Sequence, residues 1–171
     1  MIKFIGVLLI ISGSVLSGHY FAEKNLIRIH ILEEIEQALQ FMYGEIEYAA
    51  LDITGIFGSL SERSRYCKDF WVFMHDRLLQ NEGGALYSIW EEGLDNSVWV
   101  KYLLYEDRLF MGEVGKNTGN LDRQSQLNTL DIFKKRLGGM ILAARSEYKE
   151  KAKVCHVAGA VAGIFLSILL V

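Results

Sequence analysis

Proline is absent from all 171 residues. Proline breaks helix interiors and punctuates loops, so a chain without it suits long helices joined by short connections. Cysteine is scarce, with only Cys67 and Cys155. Two thiols exclude a small secreted domain stapled by disulfides and read as free, buried groups in a reducing compartment. Strict apolar/polar alternation is missing, which argues against half-buried strands, and so are internal repeats and low-complexity tracts. An excess of basic charge is missing too: 18 Lys and Arg stand against 21 Asp and Glu, a net charge of −3. A binder of phosphate backbones needs a basic face, so no nucleic-acid partner is expected.

Two stretches lack charge altogether. Phe4 to Ala22 runs for 19 residues without Asp, Glu, Lys or Arg, and Val154 to Val171 for 18. As helices they reach roughly 27 Å or slightly more, against a hydrocarbon core of about 30 Å. The expected organisation is a transmembrane helix over 1–22, a helical domain over 23–153 and a second transmembrane helix over 154–171, with membrane lipid as a partner. The middle holds seventeen bases and twenty-one acids, a net −4. Lys24, Arg28, Arg145, Lys149, Lys151 and Lys153 flank the inner ends of the apolar stretches, and Lys3 alone lies beyond them. Positive charge beside membrane helices stays in the cytoplasm, which places the middle domain there and both termini outside. The same basic residues disfavour a cleaved signal peptide as the account of the first stretch.

Within the middle, Leu26, Ile29, Leu32, Ile35, Leu39, Met42, Ile46 and Ala49 fall three or four apart and predict one amphipathic helix of about seven turns. Gly55 and Gly58 suggest an interruption. A second helix is expected from about Gly58 to Gln80, a turn at Asn81 to Gly84, a third helix from Ala85 to Leu94 with Trp90 inward, and a fourth from Trp99 to Val114. Gly119-Asn120 marks a break, with Asn120 or Asp122 able to cap the last helix. That helix carries Leu127, Leu130, Phe133 or Lys134, Leu137, Ile141, Ala144 and Tyr148 inward. The fold class expected is all-α, an antiparallel helical bundle whose first and last helices continue into the membrane.

No pattern carries enzyme chemistry. Gly112 to Thr118 contains a Gly-Lys pair, but a phosphate-binding loop needs Gly at position 110 and Ser or Thr at 117, where Phe110 and Asn117 stand. The end of a helix is the better account. His19, His30, His75 and His156 are scattered without ligand spacing. Cys67 and His75 fall two helical turns apart, and a thiol–imidazole pair needs direct contact and a third orienting group. Glu33-Glu34 and Glu91-Glu92 read as solvated faces. No cofactor, metal or small-molecule substrate is expected. Gly159-x-x-x-Gly163 offers the small-residue spacing that lets membrane helices pack closely.

The chain resembles the stage III sporulation protein AB family of endospore-forming bacteria. The likeness runs over nearly its whole length: the first apolar segment, the helix Leu32 to Leu39 with Glu45-Ile-Glu-Tyr48, Trp90-Glu-Glu-Gly-Leu94, the basic stretch Arg145 to Lys153 and the apolar tail. Its most specific part is Gly115 to Gln126, similar to a Leu-Gly-x-x-Asp-x-x-x-Gln signature. Val114 and Gly115 stand near its start, Val114 where Leu is usual, and Gly119, Asp122 and Gln126 fit the remainder. The resemblance implies relatedness to the cytoplasmic domains of type II secretion F proteins. It also implies a structural, non-enzymatic role in the channel joining mother cell to forespore, in the mother-cell membrane. A secretion-type ATPase and other stage III sporulation membrane proteins are the implied partners. Gly115, Gly119, Asp122 and Gln126 then form either a structural junction or a docking surface. The rival from another class is a membrane-tethered regulator of a cytoplasmic protein, outside any channel.

Overall fold

Ile31, Leu32, Ile35, Ala38, Leu39 and Met42 fall on one face of a helix, two adjacent pairs with single residues a turn apart, and all six are buried. This stripe lies on helix α1, Ile2–Tyr48, in the computed structural model. The structure describes residues 2–48, 51–80, 85–118 and 122–170, and side chains over 23–48, 51–80, 85–118, 122–151 and 153. Five further α-helices follow: α2 (Ile53–Arg63), α3 (Lys68–Leu79), α4 (Leu86–Asn96), α5 (Tyr105–Asn117) and α6 (Arg123–Leu170). A short 3-10 helix, Val98–Tyr102, precedes α5. Among the described residues the protein is all-α.

The chain divides into two units, one of residues 1–29 with 142–171 and one of residues 30–141. In the first, Arg28 lies 3.8 Å from Glu147, and Ile29 and Ala144 are buried. In the second, α2 packs on α3, α3 on α4 and α4 on α5. The centre of that unit is aromatic. The Phe70 ring stands edge-on to Trp71 at 4.8 Å, to Trp90 at 4.9 Å and to Trp99 at 6.0 Å, and Phe57 stacks on Trp71 at 5.6 Å. Edge-to-face pairs at these separations each add about 0.5–1.5 kcal/mol beyond the apolar burial. Helix α6 completes the core with Leu127, Leu130, Phe133, Leu137 and Ile141, and Phe133 meets Phe110 of α5 edge-on at 5.6 Å.

Four expectations are corrected. Gly55 and Gly58 do not interrupt a helix; both lie inside α2. Asp52 caps that helix by accepting the Gly55 N–H at 2.9 Å. Gly58 serves a close crossing, because a Cβ there would stand 2.9 Å from the His75 ring. The single helix expected from 58 to 80 is two helices, divided at Ser64–Cys67. The helix expected over 99–114 is a 3-10 turn followed by α5, whose start is fixed by Asp107 accepting the Leu104 N–H at 2.9 Å. Finally, Glu34 is not a solvated acid, as its contacts below make plain.

The turn at Asn81 to Gly84, the break at Gly119-Asn120, and the side chain of Cys155 lie outside the described residues. So do the side chains of the two expected membrane segments, 1–22 and 154–171. Among the described residues no helix is long and apolar enough to cross a membrane.

Candidate functional site

The junction between α5 and α6 is built around a close approach. Trp90 of α4 is fully buried, and its indole N–H donates to the Met111 carbonyl at 2.9 Å. That places the ring flat against α5 at Gly115, where an added Cβ would fall 2.3 Å from the indole. Only glycine lets α5 take this position. One turn later the helix ends: the Thr118 hydroxyl donates to the Val114 carbonyl at 2.8 Å, and the Asn117 amide donates to the Glu113 carbonyl at 2.8 Å. These side chains fold back onto carbonyls of the last helical turn.

Helix α6 opens on Asp122, whose carboxylate accepts the Ser125 N–H at 3.1 Å and whose carbonyl accepts the Gln126 N–H at 2.9 Å. Hydrogen bonding from Ser125 holds the Asp122 carboxyl below its ordinary range. Arg123 reaches back to α1 and donates to the Ile46 carbonyl at 3.0 Å. Between these ends lies an open groove of about 280 Å³. Met42, Ile56, Leu130 and Phe133 give it a buried apolar wall, and Thr118, Gln126 and Thr129 bring polar groups to it. An apolar concavity with a few polar groups suits an anchoring side chain of a partner.

A second constellation ties α1 to the α2–α3 connection. The Glu34 carboxylate accepts three backbone N–H groups, from Arg65 at 3.0 Å, Tyr66 at 2.9 Å and Cys67 at 2.8 Å. It sits at the N-terminal end of α3, where unpaired amides and the helix dipole favour an anion. His30 flanks it, stacked on Tyr66 at 5.8 Å and 3.2 Å from the Glu33 carboxylate. Cys67 beneath is buried, and burial, reinforced by Glu34 and Asp69, pushes its thiol well above the ordinary value. Its thiolate is therefore suppressed, the opposite of what a nucleophile needs. His75 bonds the Thr54 carbonyl at 3.0 Å. Among the described residues there is no group of three His, Cys, Asp or Glu placed to hold a metal.

Gly115, Asp122 and Gln126 thus fall at one junction, Gly115 inside α5, Asp122 at the head of α6 and Gln126 on the groove. Gly119 lies outside the described residues, and of Gly159 and Gly163 only their place in α6 is described. The Gly-Lys pair at 115–116 is part of α5, as the end-of-helix reading has it. The contacts of Glu34 escaped the sequence because their partners lie more than thirty residues away and no local pattern marks them. The start of α5 did leave a signal, the adjacent acids Glu106-Asp107 after an apolar run.

The model of the stage III sporulation protein AB family matches residues 3–171. The chain belongs to this family. A solved structure of a stage III sporulation protein AB (SpoIIIAB) shares the fold, with a TM-score of 0.64 at 17% identity over 72% of this chain and 97% of that one. No curated protein matches the chain. As a member of the stage III sporulation protein AB family it is a protein of stage III sporulation. The α5–α6 junction and its groove lie inside the span that the family model matches.

Proposed function

We propose that this chain is a structural, non-enzymatic membrane component of the sporulation channel between mother cell and forespore. Helices at 1–22 and 154–171 anchor it in the mother-cell membrane, packing through Gly159 and Gly163. The domain over 23–153 is an antiparallel bundle of the type II secretion F kind and faces the cytoplasm. There it docks the secretion-type ATPase or a neighbouring stage III membrane protein. Family membership supports the setting, and the groove at the α5–α6 junction is the observation that carries the docking role. Gly115 and Asp122, with Gly119 between them in sequence, shape the junction. Gln126 and Thr129 face the partner.

Photo-crosslinking tests this in sporulating cells. A crosslinker placed at Gln126 or Thr129 is expected to trap the ATPase or another stage III membrane protein, and one at Lys68 to trap neither. Adducts confined to a soluble protein outside the channel would instead favour a membrane-tethered regulator.

A further inference from the structure

Charge in this chain is divided along the same line as the structure. Residues 30–141 carry eleven Lys and Arg against eighteen acids, a net −7. In the other unit, residues 23–29 and 142–153 carry six bases against three acids, a net +3 within nineteen residues. Arg28 and Glu147, 3.8 Å apart, set the two short basic stretches side by side. From that contact each helix leads to an uncharged segment. α1 runs back through Lys24 to Phe4–Ala22, and α6 runs on through Lys149, Lys151 and Lys153 to Val154–Val171. These four lysines are exposed. Lys24 is one turn, about 6 Å, from Arg28, and Lys151 is one turn from Glu147.

We propose that Lys24, Lys149, Lys151 and Lys153 form a collar that selects anionic phospholipid headgroups at the foot of the two apolar segments. The inference rests on the membrane anchoring proposed above. Lysines at a bilayer surface gain attraction from anionic lipid that a neutral surface does not give. A soluble acidic protein is the weaker occupant, because the collar adjoins the apolar segments on both helices. Glu147 tempers the collar, lying 3.9 Å from Lys151 as well as beside Arg28.

The test uses the full chain, purified in detergent and reconstituted into phosphatidylcholine vesicles with and without 30% phosphatidylglycerol. Flotation with pure phosphatidylcholine reports anchoring alone, so failure of the anchoring reading is visible separately. Lipid retained after detergent extraction, counted by native mass spectrometry, reports selection. The wild-type chain is expected to retain phosphatidylglycerol over phosphatidylcholine by at least tenfold relative to the bulk mixture, and to lose that preference in high salt. Replacing the four lysines with Gln is expected to abolish the preference, at up to about fivefold per lysine, with helical content unchanged by circular dichroism. Replacing Lys68, Lys101 and Lys135 with Gln is expected to leave it intact. Equal retention of both lipids by the wild-type chain, or a preference that survives the four-lysine variant, overturns the proposal.

Discussion

At Gly115 one hydrogen occupies the place where any side chain would overlap the Trp90 indole. Gly115→Ala is therefore expected to destabilise the full chain by about 1–3 kcal/mol, the usual cost of overpacking. Gly44, also helical, has nothing within 4 Å of its added Cβ. There the substitution removes only backbone freedom from the unfolded chain, and Gly44→Ala should stabilise by about 0.5–1 kcal/mol. Urea titration followed by tryptophan fluorescence reads both; a matching sign for the two variants would refute the packing account. Cys67 supplies a pH test. Its folded thiol is held well above the ordinary value of 9.0, first by burial, then by Glu34 and Asp69. Above that ordinary value the unfolded chain releases the thiol proton while the folded chain keeps it. The contribution is fully present below pH 9.0 and is lost as pH rises toward the folded value. Cys67→Ala should flatten the decline in stability on the alkaline side relative to wild type, with Cys155 common to both.

The outer helices were legible as elements because their apolar spacing is long and regular. Ile29 to Met42 and Leu127 to Ala144 are buried as their periods require. The division of α2 from α3 was not legible. The polar run Ser61–Arg65 interrupts the apolar spacing there, but polar residues also fit the outer face of one continuous helix, and the segment Ser64–Cys67 contains neither glycine nor proline. What ends α2 and starts α3 is a carboxylate from α1, contributed across a distance in sequence that local patterns do not span. At the junction, the cap at Asp122 could be read from residue type, whereas the reason for Gly115 required the position of Trp90. Glu34→Ala should leave the Arg65, Tyr66 and Cys67 amides without their acceptor. The expected loss is about 1–3 kcal/mol, with faster hydrogen exchange at those three amides and at the start of α3. Exchange that stays slow there would show that the carboxylate does not hold the connection. Helix α5 bears on a second test: Gly112 to Lys116 form continuous helix rather than an amide-lined loop. The full chain is expected to bind no ATP, and Lys116→Ala to change nothing in an equilibrium-binding assay. Saturable binding lost on that substitution would overturn the end-of-helix account.

For the molecule as a whole, the decisive quantity is where charge sits relative to the two uncharged segments. Six bases lie just inside them and Lys3 alone outside. If the two segments span as proposed, carrying Lys and Arg across the bilayer during insertion is unfavourable, so the orientation expected is the one that keeps six bases in the cytoplasm rather than one. The acidic unit, at −7 over residues 30–141, adds little to the choice, because acids weigh weakly in orientation. The expected outcome is specific at two positions. A reporter enzyme inserted between Asn81 and Gly84 should read as cytoplasmic. A peptide tag after Val171 should be open to protease added to intact protoplasts, and should become protected once engulfment has enclosed the space between the two membranes. Each result constrains a different segment. A cytoplasmic reporter with an inaccessible tag would mean that 154–171 does not cross, leaving one anchor at 1–22. An exported reporter would reverse the charge argument and restore a cleaved leader as the account of the first segment. Lys24→Glu with Arg28→Glu sharpens the test, since it removes two of the three bases nearest that segment while leaving the second segment's four in place. If flanking charge sets the orientation, this variant should give mixed reporter signals, and restoring Lys24 alone should shift the mixture back toward the cytoplasm.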